Sequence, residues 1–185
     1  MVAHYCWWLN IDVMKWYYIV GGIILWIMSG KQKPSTTNLN LPRGIRNNNP
    51  GNLSKGINFS GEKKPSTDSR FAQFTDMPFG VRALFVDLIN KHKRGLDTIE
   101  KILEVYAPRT ENPTLQYITT LSTKTNIPAT LIFTPNKENF WKIAQGIAEV
   151  ENGTQAANLY IKNSNWVEGW RRMASTRPDL VSYLK

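Results

Sequence analysis

The chain has 185 residues and carries 23 Lys+Arg against 14 Asp+Glu, a net charge of +9. That length holds one ordinary domain plus an appendage, not two full domains. A single cysteine, Cys6, excludes an internal disulfide and a cysteine-based metal cluster, and only two histidines, His4 and His92, argue against a His-rich metal site. No metal and no cofactor is therefore expected. The basic excess points to an anionic partner: nucleic acid, an acidic membrane surface or an anionic cell-wall polymer.

The apolar character is concentrated near the N-terminus. Residues 16–28, WYYIVGGIILWIM, are thirteen residues without a charge, and Lys15 and Lys31 bracket fifteen. A helix of that length spans roughly 23 Å, short of the ~30 Å hydrocarbon core. Interfacial Trp16, Tyr17, Tyr18 and Trp26, with snorkelling lysines, close the gap. The favoured reading is a single-pass membrane anchor over 1–29. A cleaved signal peptide fits less well, because Asp12 offsets Lys15 in its n-region. A buried core helix fits poorly with hydrophobicity on all sides. Residues 30–42, GKQKPSTTNLNLP, read as a linker. Lys31, Lys33, Arg43 and Arg46 would place the C-terminal side in the cytoplasm by the positive-inside rule.

Residues 43–185 carry +7 and form the remaining domain. Residues 43–69 read as Asn-, Gly- and Ser-rich loop, with a short hairpin around Ile57–Gly61, and Phe71–Phe74 as a short extended piece. Helices follow. Val81, Leu84, Phe85, Leu88 and Ile89 lie on one helical face that ends near Gly95. Asp97 and Glu100 make a capping-box-like start for a helix stopped by Pro108. Asn112-Pro113 and Thr134-Pro135 each signal a further helix start. The second of these carries Phe140, Ile143, Ala144, Ile147 and Ala148 and is expected to end at Glu151–Asn152, just before Gly153. Two short helices are expected over 155–162 and 166–174. The domain is therefore mainly α.

No P-loop, dinucleotide fingerprint, metal-ligand pair or histidine triad is present. A carboxylate is the remaining candidate catalyst. Glu151 sits at the C-terminal end of an apolar helix. The negative end of the dipole, and the neighbours Ile147 and Val150, favour the protonated form that a general acid requires. The bland alternative is a surface glutamate at a helix end. Glu111 is the rival. It precedes a helix N-terminus, which favours the charged form and suits a base or an orienting group, or simply a dipole-stabilised end. Asn47, Asn48, Asn49 and Asn52 surround Pro50-Gly51, either as turn formers or as a wall of amides for a polar polymer. Trp166 and Trp170 are the tryptophans expected to reach solvent and stack on sugars, whereas His92 reads as a surface residue at a helix end.

The segment Arg43-Gly44-Ile45-Arg46-Asn47-Asn48-Asn49-Pro50-Gly51-Asn52-Leu53 resembles the opening signature of a phage-encoded family with a lysozyme-like, peptidoglycan-degrading domain. Phe71-Ala72-Gln73-Phe74 with Gly80-Val81-Arg82-Ala83-Leu84 resembles its next segment. Tyr106-Ala107-Pro108 with Glu111-Asn112-x-Thr114-x-x-Tyr117 resembles the one after, with Tyr106 where Trp is usual. Ala148 with Glu151-Asn152-Gly153 resembles its close. The resemblance covers about residues 43–154 and leaves 155–185 without a counterpart.

The resemblance implies a lysozyme-like fold in permuted order, because the Asn-rich segment here precedes the helix with the glutamate. It implies cleavage of the MurNAc–GlcNAc bond by a lytic transglycosylase or muramidase. Glu151 or Glu111 would be catalytic, and Arg46, Asn47, Asn49, Asn52, Asn112, Tyr117 and Asn152 would hold the sugar. The expected partners are peptidoglycan, the lipid membrane of a virion or of the host, and capsid proteins. Delivery from a virion membrane would reconcile an external wall substrate with the charge-based topology. The alternative is a non-enzymatic virion protein linking membrane and capsid. Nucleic-acid binding by Lys91–Arg94 and Arg171-Arg172 is the least favoured reading.

Overall fold

The chain divides into Met1–Asn38 and Leu39–Lys185. The computed structural model describes residues 41–110 and 113–185. The expected anchor (1–29), the linker up to residue 40, Glu111 and Asn112 lie outside the described residues. Among the described residues, no helix is long and apolar enough to cross a membrane.

Eight helices are described: α1 Arg43–Arg46, α2 Met77–Lys93, α3 Ile99–Tyr106, α4 Thr114–Thr125, α5 Lys137–Asn152, α6 Thr154–Tyr160, α7 Asn163–Thr176 and α8 Pro178–Val181. No β-strand occurs among the described residues. Isolated antiparallel bridges join Ser54 to Phe71 and Glu62 to Phe74. Phe71–Phe74 is thus extended as expected. It does not complete a local hairpin over 57–61 but closes the long loop between α1 and α2 on itself.

The central element is α2. Val81, Leu84, Phe85, Leu88 and Ile89 are buried, as their spacing predicts, but so are Arg82, Asp87, Lys91 and His92 on the other sides. Helix α7 covers one flank, α5 and α3 cover others, and α8 closes the end. Phe85 sits edge-on to Trp170 at 5.0 Å and to Trp166 at 6.0 Å, and lies 5.6 Å from Trp141. Full burial of a phenylalanine contributes about 1.5–3 kcal/mol. Trp166 is core, against the expectation that it reaches solvent, whereas Trp170 packs on Phe85 and keeps partial exposure.

His92 is also buried. Its Nδ1 lies 2.6 Å from the Tyr183 hydroxyl and its Nε2 3.1 Å from the Phe133 carbonyl oxygen. Helix periodicity marked it as a surface end, but the C-terminal segment returns over it. Lys91 is clasped by Asp87 at 2.5 Å, one turn away, and Arg171 and Arg172 pair with Glu168. Lys91, Arg171 and Arg172 are thus paired with carboxylates, whereas Lys93 and Arg94 are exposed.

Helix starts follow the capping chemistry, with small shifts from expectation. Thr98, not Asp97, caps α3 by accepting from the Lys101 amide. Asp97 instead takes the Lys101 ammonium at 2.7 Å. Asn136 caps α5 by accepting from the Asn139 amide, two residues beyond the expected Thr134. Pro113 stands at the cap position of α4 rather than inside its first turn. Pro42 precedes α1 in the same way.

The loop after α1 is held by Asp68. Its carboxylate takes Arg43 Nε and Nη2 at 2.7 Å each, Asn47 Nδ2 at 2.8 Å, and the amides of Arg70 and Phe71 at 2.9 Å. The Arg43 guanidinium does most to hold this carboxyl far below the usual range, against the opposing effect of burial, and the other donors add to it. A depressed folded value means a contribution to stability that is complete above the unfolded value, about 3.9. It is lost as pH falls below that. Asp68→Asn is expected to lower stability at pH 7 and to flatten its decline between pH ~5 and ~2. Urea midpoints across that range check this; parallel acid limbs in the two proteins would remove Asp68 from the account.

Candidate functional site

Helix α5 ends as the sequence predicts, at Glu151–Asn152, and Gly153 follows with φ 78° and ψ 137°. A Cβ at Gly153 would meet nothing within 4 Å, so backbone conformation alone selects glycine there. The turn starts α6 at once and leaves Glu151 on the last turn of α5, partly exposed.

Two residues named from sequence converge on this carboxylate, and a third braces the helix end that carries it. Asn52 Nδ2 donates to Glu151 Oε2 at 2.8 Å across 99 positions. The Tyr117 hydroxyl of α4 donates to Glu151 Oε1 at 3.0 Å. Asn152, the next residue, donates through Nδ2 to the carbonyls of Pro50 and Ala148 at 2.8 Å each, tying α5 to the Asn-rich loop. The side-chain oxygens of Asn52 and Asn152 are buried without a hydrogen-bond partner among the described residues.

Tyr106 completes the surround. Its hydroxyl donates to the Gly51 carbonyl oxygen. A Cβ at Gly51 would come within 2.5 Å of that hydroxyl oxygen, so this position accepts only glycine if Tyr106 is to reach the loop. Burial, followed by the charges of Glu151 and Asp87, pushes the Tyr106 phenol well above its ordinary range. Burial also dominates at Tyr117, with Tyr106, Glu151 and the hydrogen bond to Glu151 adding to it. Both phenols remain neutral donors at neutral pH.

The other amides of the cluster serve the loop. Asn49 is fully enclosed; its Nδ2 donates to the carbonyls of Leu53 and Ala72 at 2.9 Å each, and its Oδ1 accepts from the Leu53 amide at 2.9 Å. Asn47 is buried, donating to Asp68 and accepting from Gln73 Nε2. Both were expected to hold a ligand. Enclosure and full hydrogen bonding make them pins of the loop instead. Arg46 is exposed on α1. Glu149 pairs with Lys124 at 2.6 Å. Asp68 escaped notice because its partner Arg43 lies 25 positions away. The repeated amides of the Asn-rich segment gave no sign of which would face Glu151. Among the described residues, no group of three or more His, Cys, Asp or Glu side chains is placed to hold a metal ion.

Tyr117→Phe removes one donor from Glu151 and leaves the ring in place. A loss of about 1–2 kcal/mol is expected in urea unfolding. An unchanged midpoint would mean that this hydrogen bond contributes nothing.

Fold and site together define a mainly helical domain organised around a glutamate at a helix C-terminus, faced by an amide and a phenol. No family model matches the chain. It is 33% identical over 118 residues to "Protein P5" of Pseudoalteromonas phage PM2, an alignment covering 60% of this chain and 72% of that protein. The chain belongs to the same family as that phage protein.

Proposed function

We propose that this is a phage virion enzyme, held at a membrane by residues 1–29, that cleaves the MurNAc–GlcNAc bond of peptidoglycan with Glu151 as general acid. The observation that carries the reading is the meeting of Asn52 and Tyr117 at the two oxygens of Glu151. Residues far apart in sequence, and chosen for a sugar-cleaving role, share one carboxylate. The relationship to a phage protein supports a phage setting.

Glu151 gives its proton to the glycosidic oxygen as the bond from that oxygen to the muramic C1 breaks. The recorded partners of Glu151 are neutral donors, so the groups holding it supply no second carboxylate as nucleophile or base. The muramic 6-hydroxyl then attacks C1, its proton returns to Glu151, and a 1,6-anhydro ring forms without net consumption of water. Glu111 is the candidate second carboxylate for the hydrolytic variant, in which water takes the place of the 6-hydroxyl. Asn52 suits either protonation state of Glu151. Its amide donates to the carboxylate as it stands, and a half-turn about χ2 would present its oxygen to a carboxyl O–H. Tyr117 and Asn152 hold Glu151 and its helix end against the loop.

A second reading has its own support. Both Glu151 oxygens are occupied by protein donors, which also describes a carboxylate that fastens α5 to the loop of a non-enzymatic protein linking membrane and capsid. Incubating the full chain, in nonionic detergent, with purified sacculi separates the two. Soluble muropeptides are expected; intact sacculi beside a cooperatively folded protein would favour the linker.

A further inference from the structure

A second polar centre lies away from Glu151. A cavity of about 740 Å³ is lined by Arg82 and Val86 of α2, Phe59 of the long loop, and Lys93, Arg94 and Arg177. Arg82 is only 5% exposed. Its Nε and Nη2 both donate to a single acceptor, Thr176 Oγ1, at 3.2 and 2.9 Å. No carboxylate among the described residues pairs with it. A guanidinium has five N–H groups in a rigid fork, so three have no protein acceptor among the described residues. A buried cation with no counter-charge is costly.

The neighbours do not supply one. Asp87 also lines the cavity but is clasped by Lys91 at 2.5 Å. Arg177 engages Asp179 through Nε and Nη2 at 2.8 Å, leaving Nη1, and Lys93 shares the same aspartate at 4.0 Å. Two carboxylates thus serve five cationic groups, and the two guanidiniums repel: burial, then Arg177, depresses the Arg82 value.

We propose that this cavity binds a phosphate group between Arg82 and Arg177. Two forks and two further cations suit a tetrahedral, multiply charged oxyanion better than a single planar carboxylate. Asn58 and Asn90, also on the wall, add neutral donors. The volume far exceeds one phosphate, and Ile57, Phe59 and Val86 give the remainder an apolar side. A phosphate carrying an apolar substituent, as in a lipid headgroup, fits that shape; free phosphate offers the same oxygens. The inference does not depend on wall cleavage.

The test is calorimetric titration of the full chain in nonionic detergent with inorganic phosphate and, separately, with a short-chain phosphatidic acid. One saturable site is expected, weakening as NaCl is added. Arg82→Gln and Arg177→Gln should each weaken it about tenfold or more, the equivalent of losing one charge-assisted contact. Arg171→Gln, in an exposed pair with Glu168, should leave it unchanged. Phosphatidic acid binding at least about tenfold tighter than phosphate would identify the headgroup as the source. Equal affinities would identify the free ion. Arg177 lies near the surface, so its variant reports even if Arg82→Gln fails to fold. No binding of either probe, or binding untouched by Arg177→Gln, overturns the proposal.

Discussion

Glu151→Gln is expected to lower the rate of sacculus digestion by about 10²–10⁴-fold, the usual contribution of a positioned general acid. The substitution keeps volume and one acceptor oxygen, so Tyr117 or Asn52 retains a partner. Thermal unfolding should therefore shift by only a few degrees. A large loss of activity beside a small loss of stability is the signature of chemistry. The reverse pattern, with no activity to lose and a marked drop in stability, is what a structural carboxylate gives. Glu111→Gln, measured beside it, reports whether a second carboxylate takes part. An effect as large as that of Glu151→Gln would assign Glu111 a proton-transfer or nucleophilic role.

The second large effect is expected at Asn49. Truncation to alanine leaves the Leu53 amide and the Ala72 carbonyl without their partner in a fully enclosed place. The Leu53 carbonyl keeps its bond from the Ala72 amide. Two orphaned groups at about 1–3 kcal/mol each predict a loss of roughly 2–6 kcal/mol. Asn49→Asp should be worse, because it sets a carboxylate against two carbonyl oxygens. Urea unfolding of both variants measures the cost. The loop they disturb carries Asn52, so activity should fall with stability. A midpoint within experimental error of the parent would mean that Asn49 does not pin the loop.

The end of α5 was legible because two local signals coincide there: apolar spacing from Phe140 to Ala148, and a glycine whose φ of 78° stops the helix. The core face of α2 was legible for the same reason, but its depth was not. Arg82, Asp87, Lys91 and His92 lie off the apolar stripe, and only packing by elements distant in sequence buries them. Trp166 was misjudged on the same ground, because its partner Phe85 lies about eighty positions earlier. At α3, Asp97 and Thr98 are adjacent and both able to cap; the claim of Lys101 on the aspartate decides between them.

Within the candidate site, residue type was informative and residue role was not. Four asparagines share turn chemistry, and Asn48 and Asn52 take positive φ of 51° and 47°. Asn49 and Asn47 turn inward to Leu53, Ala72, Asp68 and Gln73. Asn52 alone among them reaches Glu151, which depends on where α5 ends in space. The close approach of α2 to this loop depends on Gly80, where a Cβ would run into the Asn48 carbonyl oxygen. That requirement is visible only once the two elements are brought together.

The most direct measurement is mass spectrometry of muropeptides released from sacculi by the full chain, beside the folded Glu151→Gln variant. The account predicts fragments cut at the MurNAc–GlcNAc bond, ending in 1,6-anhydro-muramic acid, from the parent alone. Reducing-end fragments would keep Glu151 as acid and assign water the role of the 6-hydroxyl. Sacculi left intact by a well-folded parent, or cut equally by the variant, would contradict the account.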